Sequence, residues 1–572
     1  MRLARTVAAI AATAFLCTTS PPVWASSSAT LCVGGVGCLP TIQAAVDAAA
    51  TGATIRIGPG TFAGGVTVSK NLRLVGAGAG RTVIRGGGPV LTITTPPSGA
   101  PFVAVSGVTV TSGLAHGDGI NAWGGGIFIP AADDGTPGAN VTLQDVVITG
   151  NRTVPTATNP SPSGVKCPAG DCPYAGTRGG GIANFGTLTM VHSVVSDNAA
   201  TGTASDANGG GIFSARGALI LISTDVERNR AAPSAIGRFA EGGGIFVESG
   251  PLTIRDSHIN GNRADLVTSW PIRPQGELLA MNAHAGGIHV GDGSEVLVHH
   301  TSIRGNIVRA DDPNGEVVGF DPAMLVGDSH LVMRRSVVSG NSVTVRTATS
   351  ADVGPSGSAV ELDGPGEIAD SSIIDNPVSV LAVAGPDAVA QAASGLAVFD
   401  FAGNPRQVTV RRTQISGNTA VARSPEGSAL AVGGGVFNNS LLALEDVLIA
   451  RNNGVARAPV ADAQGGGVWN GAFLSGPPVQ LSLTKTRIVG NTLVTSPSGT
   501  RRGAGLYTSE PVTLLRSVIT GNAPDQCFGC SASPPAATAP PFGATTPDGS
   551  TTGTDLASRV AVGRTGFGDH RK

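Results

Sequence analysis

One phrase is written eleven times along this chain, and each copy closes on an asparagine: Asn151, Asn198, Asn229, Asn262, Asn306, Asn341, Asn376, Asn418, Asn452, Asn491 and Asn522. Three residues before every one of them stands Ile or Val, and eight before stands an aliphatic residue or Met. Five before stands Ser or Thr in nine copies, with Val146 and Val447 as the exceptions. A unit of this kind cannot bury its apolar face until a neighbour stacks on it, so the phrase demands a solenoid.

The middle position decides which solenoid. A leucine-rich repeat also sets apolar residues eight and three before an Asn, but it wants Leu five before, where this chain has Ser or Thr. The spacings between successive Asn residues, 31 to 47, are also too long and carry no helical period. Runs such as "LTIRDSHI" and "VTLLRSVI" alternate and are rich in Val, Ile and Thr, which reads as short strands. Stacked in parallel at about 4.8 Å, identical positions form ladders.

In such a ladder the Asn amide donates to one rung and accepts from the other, and Asn tolerates the left-handed conformation of a corner. Glycine triplets at 124–126, 179–181, 209–211, 242–244, 433–435 and 465–467, with the variants 285–287 (AGG) and 503–505 (GAG), supply a second tight corner. The composition agrees: 83 Gly, 13% charged and 4% aromatic residues in a chain that is 41% hydrophobic point to a core of small and β-branched side chains. The expected fold class is therefore all-β, a single-stranded right-handed parallel β-helix.

The segment "LPTIQAAVDAAATG" places Ile42, Val46 and Ala49 on one helical face with Thr41 as N-cap, an α-helical cap for the open N-terminal end. "TIRIGPGTFAGGVTVSKNLRLVGAG" reads as the first coil, strand, turn, strand, turn. The "GAGAGRTVIRGGG" that follows is not a dinucleotide loop, because its sequel is β-branched and Gly-rich instead of helical. Residues 1–25 carry a basic start, an apolar stretch and a small-residue cleavage site, a secretion signal. The expected division is signal 1–25, cap 26–52, β-helix 53–530 and a disordered Pro/Ser/Thr-rich tail 531–572.

A formal charge of -2 offers no footprint for nucleic acid or an anionic membrane, and no segment after the signal is long and apolar enough to span one. Six cysteines of the mature chain fall into close pairs, Cys32 with Cys38, Cys167 with Cys172 and Cys527 with Cys530. In an exported chain these read as three local disulfides, and too many repeats separate the later pairs for a shared metal.

The chain resembles the right-handed parallel β-helix proteins of the pectin-lyase-like superfamily. Residues 41–76 are similar to the cap and first coil of pectin methylesterases, and the "GGGI" and Ile-x-x-Asn elements are similar to the repeats of polymorphic outer-membrane proteins. The resemblance implies the fold over roughly 30–530 and leaves activity open, since the superfamily holds lyases, hydrolases, esterases, epimerases and adhesins. The catalytic motifs of pectin methylesterases and polygalacturonases have no counterpart in the sequence, nor has an autotransporter barrel.

Chemistry is expected in insertions between an Asn and the next Gly corner, above all 152–178, 263–284 and 307–324. Trp270, Arg273, Glu277, His284, His289, Asp311, Asp312 and Glu316 could gather there. In an enzyme, Arg273, His284 and Glu277 are the candidates for proton transfer or carboxylate neutralisation, Trp270 for sugar stacking, and Asp311, Asp312 and Glu316 for calcium; otherwise no cofactor is implied. His116 and Asp118 in "HGDGI" read as turn residues. Six before each Asn the charges alternate from Arg335 through Asp370, Arg412 and Asp446 to Lys485, a surface ladder that would hold register.

The expected function is a secreted, monomeric scaffold, non-catalytic, that binds extracellular polysaccharide or a cell-surface component. The scarcity of aromatic residues, with Trp123, Trp270 and Trp469 the tryptophans after the signal, argues against a sugar cleft. The alternative is an extracellular polysaccharide lyase or hydrolase.

Overall fold

The computed structural model describes residues 29–117, 121–154, 176–202, 206–233, 239–267, 281–291, 293–349, 356–399, 407–472 and 478–530. The proposed signal and tail, Cys167, Cys172 and Asp118 lie outside these residues.

One coil serves for all. The chain runs through Ile245–Val247, Leu252–Arg255, His258–Asn260, Arg263–Val267 and Met281–His284, then turns at 285–287 into Ile288–Val290 of the next coil. Each strand pairs in parallel with its equivalents above and below, so Ile259 lies beside Ile303 and Ile303 beside Val338. The result is a parallel β-helix of five sheets. Sheet 1 carries the strands before the position six ahead of each Asn (Leu252–Arg255 and equivalents), sheet 2 the three-residue strands before the Asn, and sheet 3 the strands after it. Sheet 4 ends at the Gly corner and sheet 5 begins beyond it. Among the described residues they hold 15, 14, 11, 11 and 14 strands.

Sheets 1, 2 and 5 enclose the main core, a column of Ile, Leu and Val such as Ile245, Leu252, Ile254 and Ile259, each fully buried. Sheets 3 and 4 were expected as loops. They are instead a two-layer flange with its own core of Ala and Val, including Ala264, Ala283, Ala310, Ala390 and Ala422. Small side chains let the two layers approach closely, and this is where the alanine of the composition goes.

The Asn column behaves as expected in its bonding. The backbone N–H and Nδ2 of Asn262 both donate to Oδ1 of Asn306, at 3.0 Å each, while Asn262 Nδ2 also reaches the carbonyl of Val226 in the coil before, at 2.9 Å. The same bonds recur from Asn151 to Asn522, and the Asn side chains are at most 5% exposed. A second column uses the Ser or Thr five before: Ser336 Oγ accepts from the N–H of Thr301 at 3.2 Å and donates to the Arg334 carbonyl at 2.9 Å.

The corner geometry corrects one expectation, because the left-handed residue is not the Asn. It is the residue just before it, from Gly150 (φ +65°) to Gly521 (φ +66°), filled by Asp197, Arg228, Asp375 and Arg451 where Gly is absent. A second left-handed corner falls six before the Asn, with φ between +44° and +56° in all eleven coils and never a Gly. Such a conformation costs an L-residue roughly 1–2 kcal/mol, so these corners are held by the ladders on either side.

At the N-terminal end, Ile42–Ala48 forms a helix, α1, capped by Thr41 Oγ1 on the N–H of Ala44 at 3.0 Å, and Ile42, Ala45 and Val46 join the main core. Cys32 is bonded to Cys38 and Cys527 to Cys530. Thr82–Arg85 is a strand, in keeping with the rejection of a dinucleotide loop.

Candidate functional site

The Gly corner joins sheets 4 and 5, and outward side chains of the two sheets touch one another. Outward groups can meet only across a re-entrant angle, so this corner is the floor of a longitudinal furrow. From sheet 4 come Trp123, Arg178, Asn208, Glu241, His284 and Phe320, neighbours on successive coils. From sheet 5 come Phe128, Ala183, Phe213, Phe246 and His289, in the same order.

The first part of the furrow is aromatic. Trp123 meets Phe185 edge-on at 5.0 Å and Phe213 at 5.8 Å, and Arg178 lies 4.9 Å from the centre of the Trp123 ring. Phe213 stacks on Phe246 at 5.7 Å. Trp123, Phe128, Phe185 and Arg178 are half-buried, so part of each remains accessible. Farther along, Phe437, Trp469, Tyr507 and Phe528 form a face-to-face column with spacings of 4.5, 6.1 and 5.4 Å. Its polar neighbours are mutually satisfied: Trp469 Nε1 donates to Gln464, Gln464 Nε2 to Asp462, and Thr500 and Arg502 also donate to Asp462. That end has the bonding of a structural stack.

Between the aromatic groups lies a titratable segment. Glu241 accepts from Asn208 Nδ2 at 2.8 Å, and burial, reinforced by the negative charge of Asp206, pushes its carboxyl up to about 8 against the pull of Arg178 and Asn208. On the next coil His284 stacks on Phe320 at 5.0 Å. His289, 5.9 Å from His284 and 4.7 Å from Phe246, is pushed down to about 3 by burial. A carboxyl held protonated at neutral pH is a hydrogen-bond donor and a proton source.

Among the described residues, the candidates expected from the sequence fall in two places. His284 and His289 are in the furrow, whereas Asp311, Asp312 and Glu316 stand at the opposite end of the flange, where Ile307–Asp312 turns into Val317–Phe320. Asp311 bonds to Arg309 at 2.8 Å and lies 3.9 Å from Arg346; fully buried Asp312 accepts from the N–H of Asn314 at 3.1 Å and so closes the turn. Among the described residues no group of three His, Cys, Asp or Glu is placed to hold a metal. Trp270, Arg273 and Glu277 lie outside the described residues. His116 ends the strand Leu114–His116 of sheet 3, not a turn.

The aromatic furrow was missed because aromatics were counted over the whole chain. Aligned on the Gly corner, the residue after the following Ile, Val or Leu is Phe128, Ala183, Phe213, Phe246, His289, Phe437, Trp469 and Tyr507, so seven of eight carry a ring. The chain is poor in aromatic residues but sets many of them in one line.

No family model and no curated protein sequence matches the chain. Among solved structures, the A-module of mannuronan C-5 epimerase AlgE6 from Azotobacter vinelandii is similar over 85% of this chain and 95% of its own, at 18% identity and a TM-score of 0.27. Pectin methylesterase PemA from Erwinia chrysanthemi is similar over 66% and 90%, at 9% identity and a TM-score of 0.21. The receptor-binding domain of the Siphovirus 9NA tailspike is similar over 88% and 79%, at 9% identity and a TM-score of 0.20. At these scores the likenesses add nothing to the parallel β-helix that the strand pairing establishes.

Proposed function

We propose that the protein is an exported β-helix scaffold that holds an extended glycan along the furrow between sheets 4 and 5. The observation that carries this reading is the line of partly accessible rings, Trp123, Phe128 and Phe185, running straight into hydrogen-bonding groups at Asn208 and Glu241. Sugar rings stack on aromatic faces while polar groups fix their orientation, and successive coils about 4.8 Å apart repeat those contacts along a chain. Two local disulfides favour an oxidising compartment, and the packing of Ile42, Ala45 and Val46 of α1 into the main core supports a capping role for that helix. The test is retention of the mature chain in gels cast with plant, algal and bacterial polysaccharides, comparing the native sequence with Trp123→Ala and Phe128→Ala. Retention that both substitutions weaken supports the reading; retention indifferent to them removes the furrow from it.

A second reading, polysaccharide cleavage, is favoured by one specific pairing: the protonated Glu241 beside the Asp206 charge, with His284 on the next coil. There Glu241 would protonate a leaving oxygen. New reducing ends or unsaturated sugars, followed with and without calcium and abolished by Glu241→Gln, would replace the scaffold by an enzyme.

A further inference from the structure

The outer face of sheet 3 breaks the rule kept at the position six before each Asn, where neighbouring coils alternate in charge from Arg335 to Lys485. From Arg152–Val154 to Asn453–Arg457, seven of nine consecutive strands turn an exposed arginine outward, and none turns a lysine. Arg152, Arg230 and Arg263 stand in the column next to the Asn. Arg309 stands two residues farther along its strand, and Arg346, Arg423 and Arg457 two beyond that. The arginines therefore draw a diagonal of eight coil steps, roughly 38 Å long and about 13 Å across.

Among the described residues two carboxylates share this face, and each is divided between two arginines. Arg230 Nε at 2.6 Å and Arg263 Nη2 at 3.2 Å hold Asp265; Arg309 Nη2 at 2.8 Å and Arg346 Nη1 at 3.9 Å hold Asp311. The sharing aims each pair of guanidiniums and leaves it net positive. Arg152, Arg423 and Arg457 make no ion pair among the described residues, and Asp387 and Glu426 lie beyond the strand ends, in the turns of the flange tip. Arg423 and Arg457 are direct neighbours in register, about 4.8 Å apart along the stack. Like charges side by side on a sheet destabilise it, so this pair does the opposite of holding register, and an anion bound across it would offset the repulsion. The use of Arg throughout points to forked hydrogen bonds to an oxyanion rather than to charge alone. A sulfate ester keeps three terminal oxygens, enough to accept from guanidiniums on two adjacent coils at once, whereas a carboxylate has two.

We propose that the outer face of sheet 3 binds a sulfated polysaccharide along this arginine diagonal, on the side of the flange turned away from the furrow. The contact is independent of whatever the furrow holds. The test is binding of the mature chain to immobilised dextran sulfate, with unsulfated dextran as the blank. Retention is expected at about 0.15 M salt and should weaken as salt rises. Arg423→Gln/Arg457→Gln should lower the affinity by roughly tenfold or more. Arg85→Gln/Arg487→Gln, which removes the same charge from exposed positions on sheet 2, should stay within about twofold of the native chain. Dextran sulfate should also raise the melting temperature of the native chain and not that of the Arg423→Gln/Arg457→Gln variant, a response that a purely structural role would not produce. Failure of the native chain to bind, or equal weakening in both double variants, would overturn the proposal. Stronger retention on polygalacturonate, polyphosphate or anionic vesicles would overturn it too, by giving the face to a carboxylated polymer, a phosphate polymer or a membrane.

Discussion

The backbone N–H and the side-chain Nδ2 of Asn522 both donate to Oε1 of Gln526, at 3.0 Å each. This is the pair of bonds every other Asn in the column gives to the next Asn, made here to a residue only four positions along. Gln526 returns a bond from Nε2 to the Asn522 carbonyl at 2.9 Å and is itself exposed.

An interior rung and the terminal one should therefore respond differently. Asn306→Ala strips the acceptor from two donors of Asn262 and the donor from the buried Ile259 carbonyl. With each orphaned group worth about 1–3 kcal/mol, a loss of roughly 3 kcal/mol is expected. Gln526→Ala faces water and should cost about 1 kcal/mol or less. Thermal unfolding of the two variants against the native chain checks the order; equal losses would contradict it.

The third Gly of each corner backs onto the Asn of its own coil. A Cβ on Gly287 would lie 2.5 Å from the Ala323 carbonyl oxygen and 3.2 Å from the Asn306 side chain. Gly287→Ala should cost about 2 kcal/mol or more. Ala285→Gly, at a position where φ is already +51°, should change stability by no more than about 1 kcal/mol. Both are read from melting curves.

Arg412 grips Asp370 through Nε at 2.6 Å and Nη2 at 2.9 Å, one step of the alternating surface column, and this pairing holds the Asp370 carboxyl below its usual range. Asp370→Lys should lower the melting temperature at neutral pH, and adding Arg412→Glu should recover part of the loss. A depressed carboxyl contributes stability above its unfolded value and loses it as pH falls through the folded one. The native chain and Asp370→Asn should accordingly converge at low pH. Additive effects of the two substitutions would remove the column from the account of register.

His289 gives the opposite kind of limb. Its folded value near 3 lies below the unfolded 6.5, so on acidification the unfolded chain takes up a proton that the folded chain refuses. Stability should fall progressively from pH 6.5 toward 3, by on the order of 4 kcal/mol in full. In His289→Phe, which keeps a ring against Phe246, that part of the slope should vanish; a native-like slope in the variant would assign the acid sensitivity to other groups.

The architecture was legible because each coil repeats its inward residues. Ile or Val three before the Asn and Ser or Thr five before it face the core or a ladder, where every coil meets the same constraint. The sheet 4 wall of the furrow was not, since its residues lie outside the core and each coil fills them differently: Glu241, His284 and Phe320 share one column without sharing a type. Sheets 3 and 4 escaped notice for another reason. Their inward residues are mostly Ala, and alternation of Ala with polar residues resembles a loop. The left-handed residue was assigned to the Asn on propensity, but the positive φ falls on the residue before it, while the Asn side chain bonds to the coils on both sides.

Each coil offers the next the same two donors and asks of it the same acceptor, so the asparagine column is also a scale of length. Excising Arg263 through Asn306 would set Asn262 beneath Asn341, with its bonding partner replaced like for like. As far as the asparagine column is concerned, whole coils can thus be gained or lost by duplication and deletion, each changing the distance between the two ends by about 4.8 Å. From Asn151 to Asn522 the column spans ten such steps, roughly 48 Å. Whatever the furrow holds, its reach is counted in asparagines.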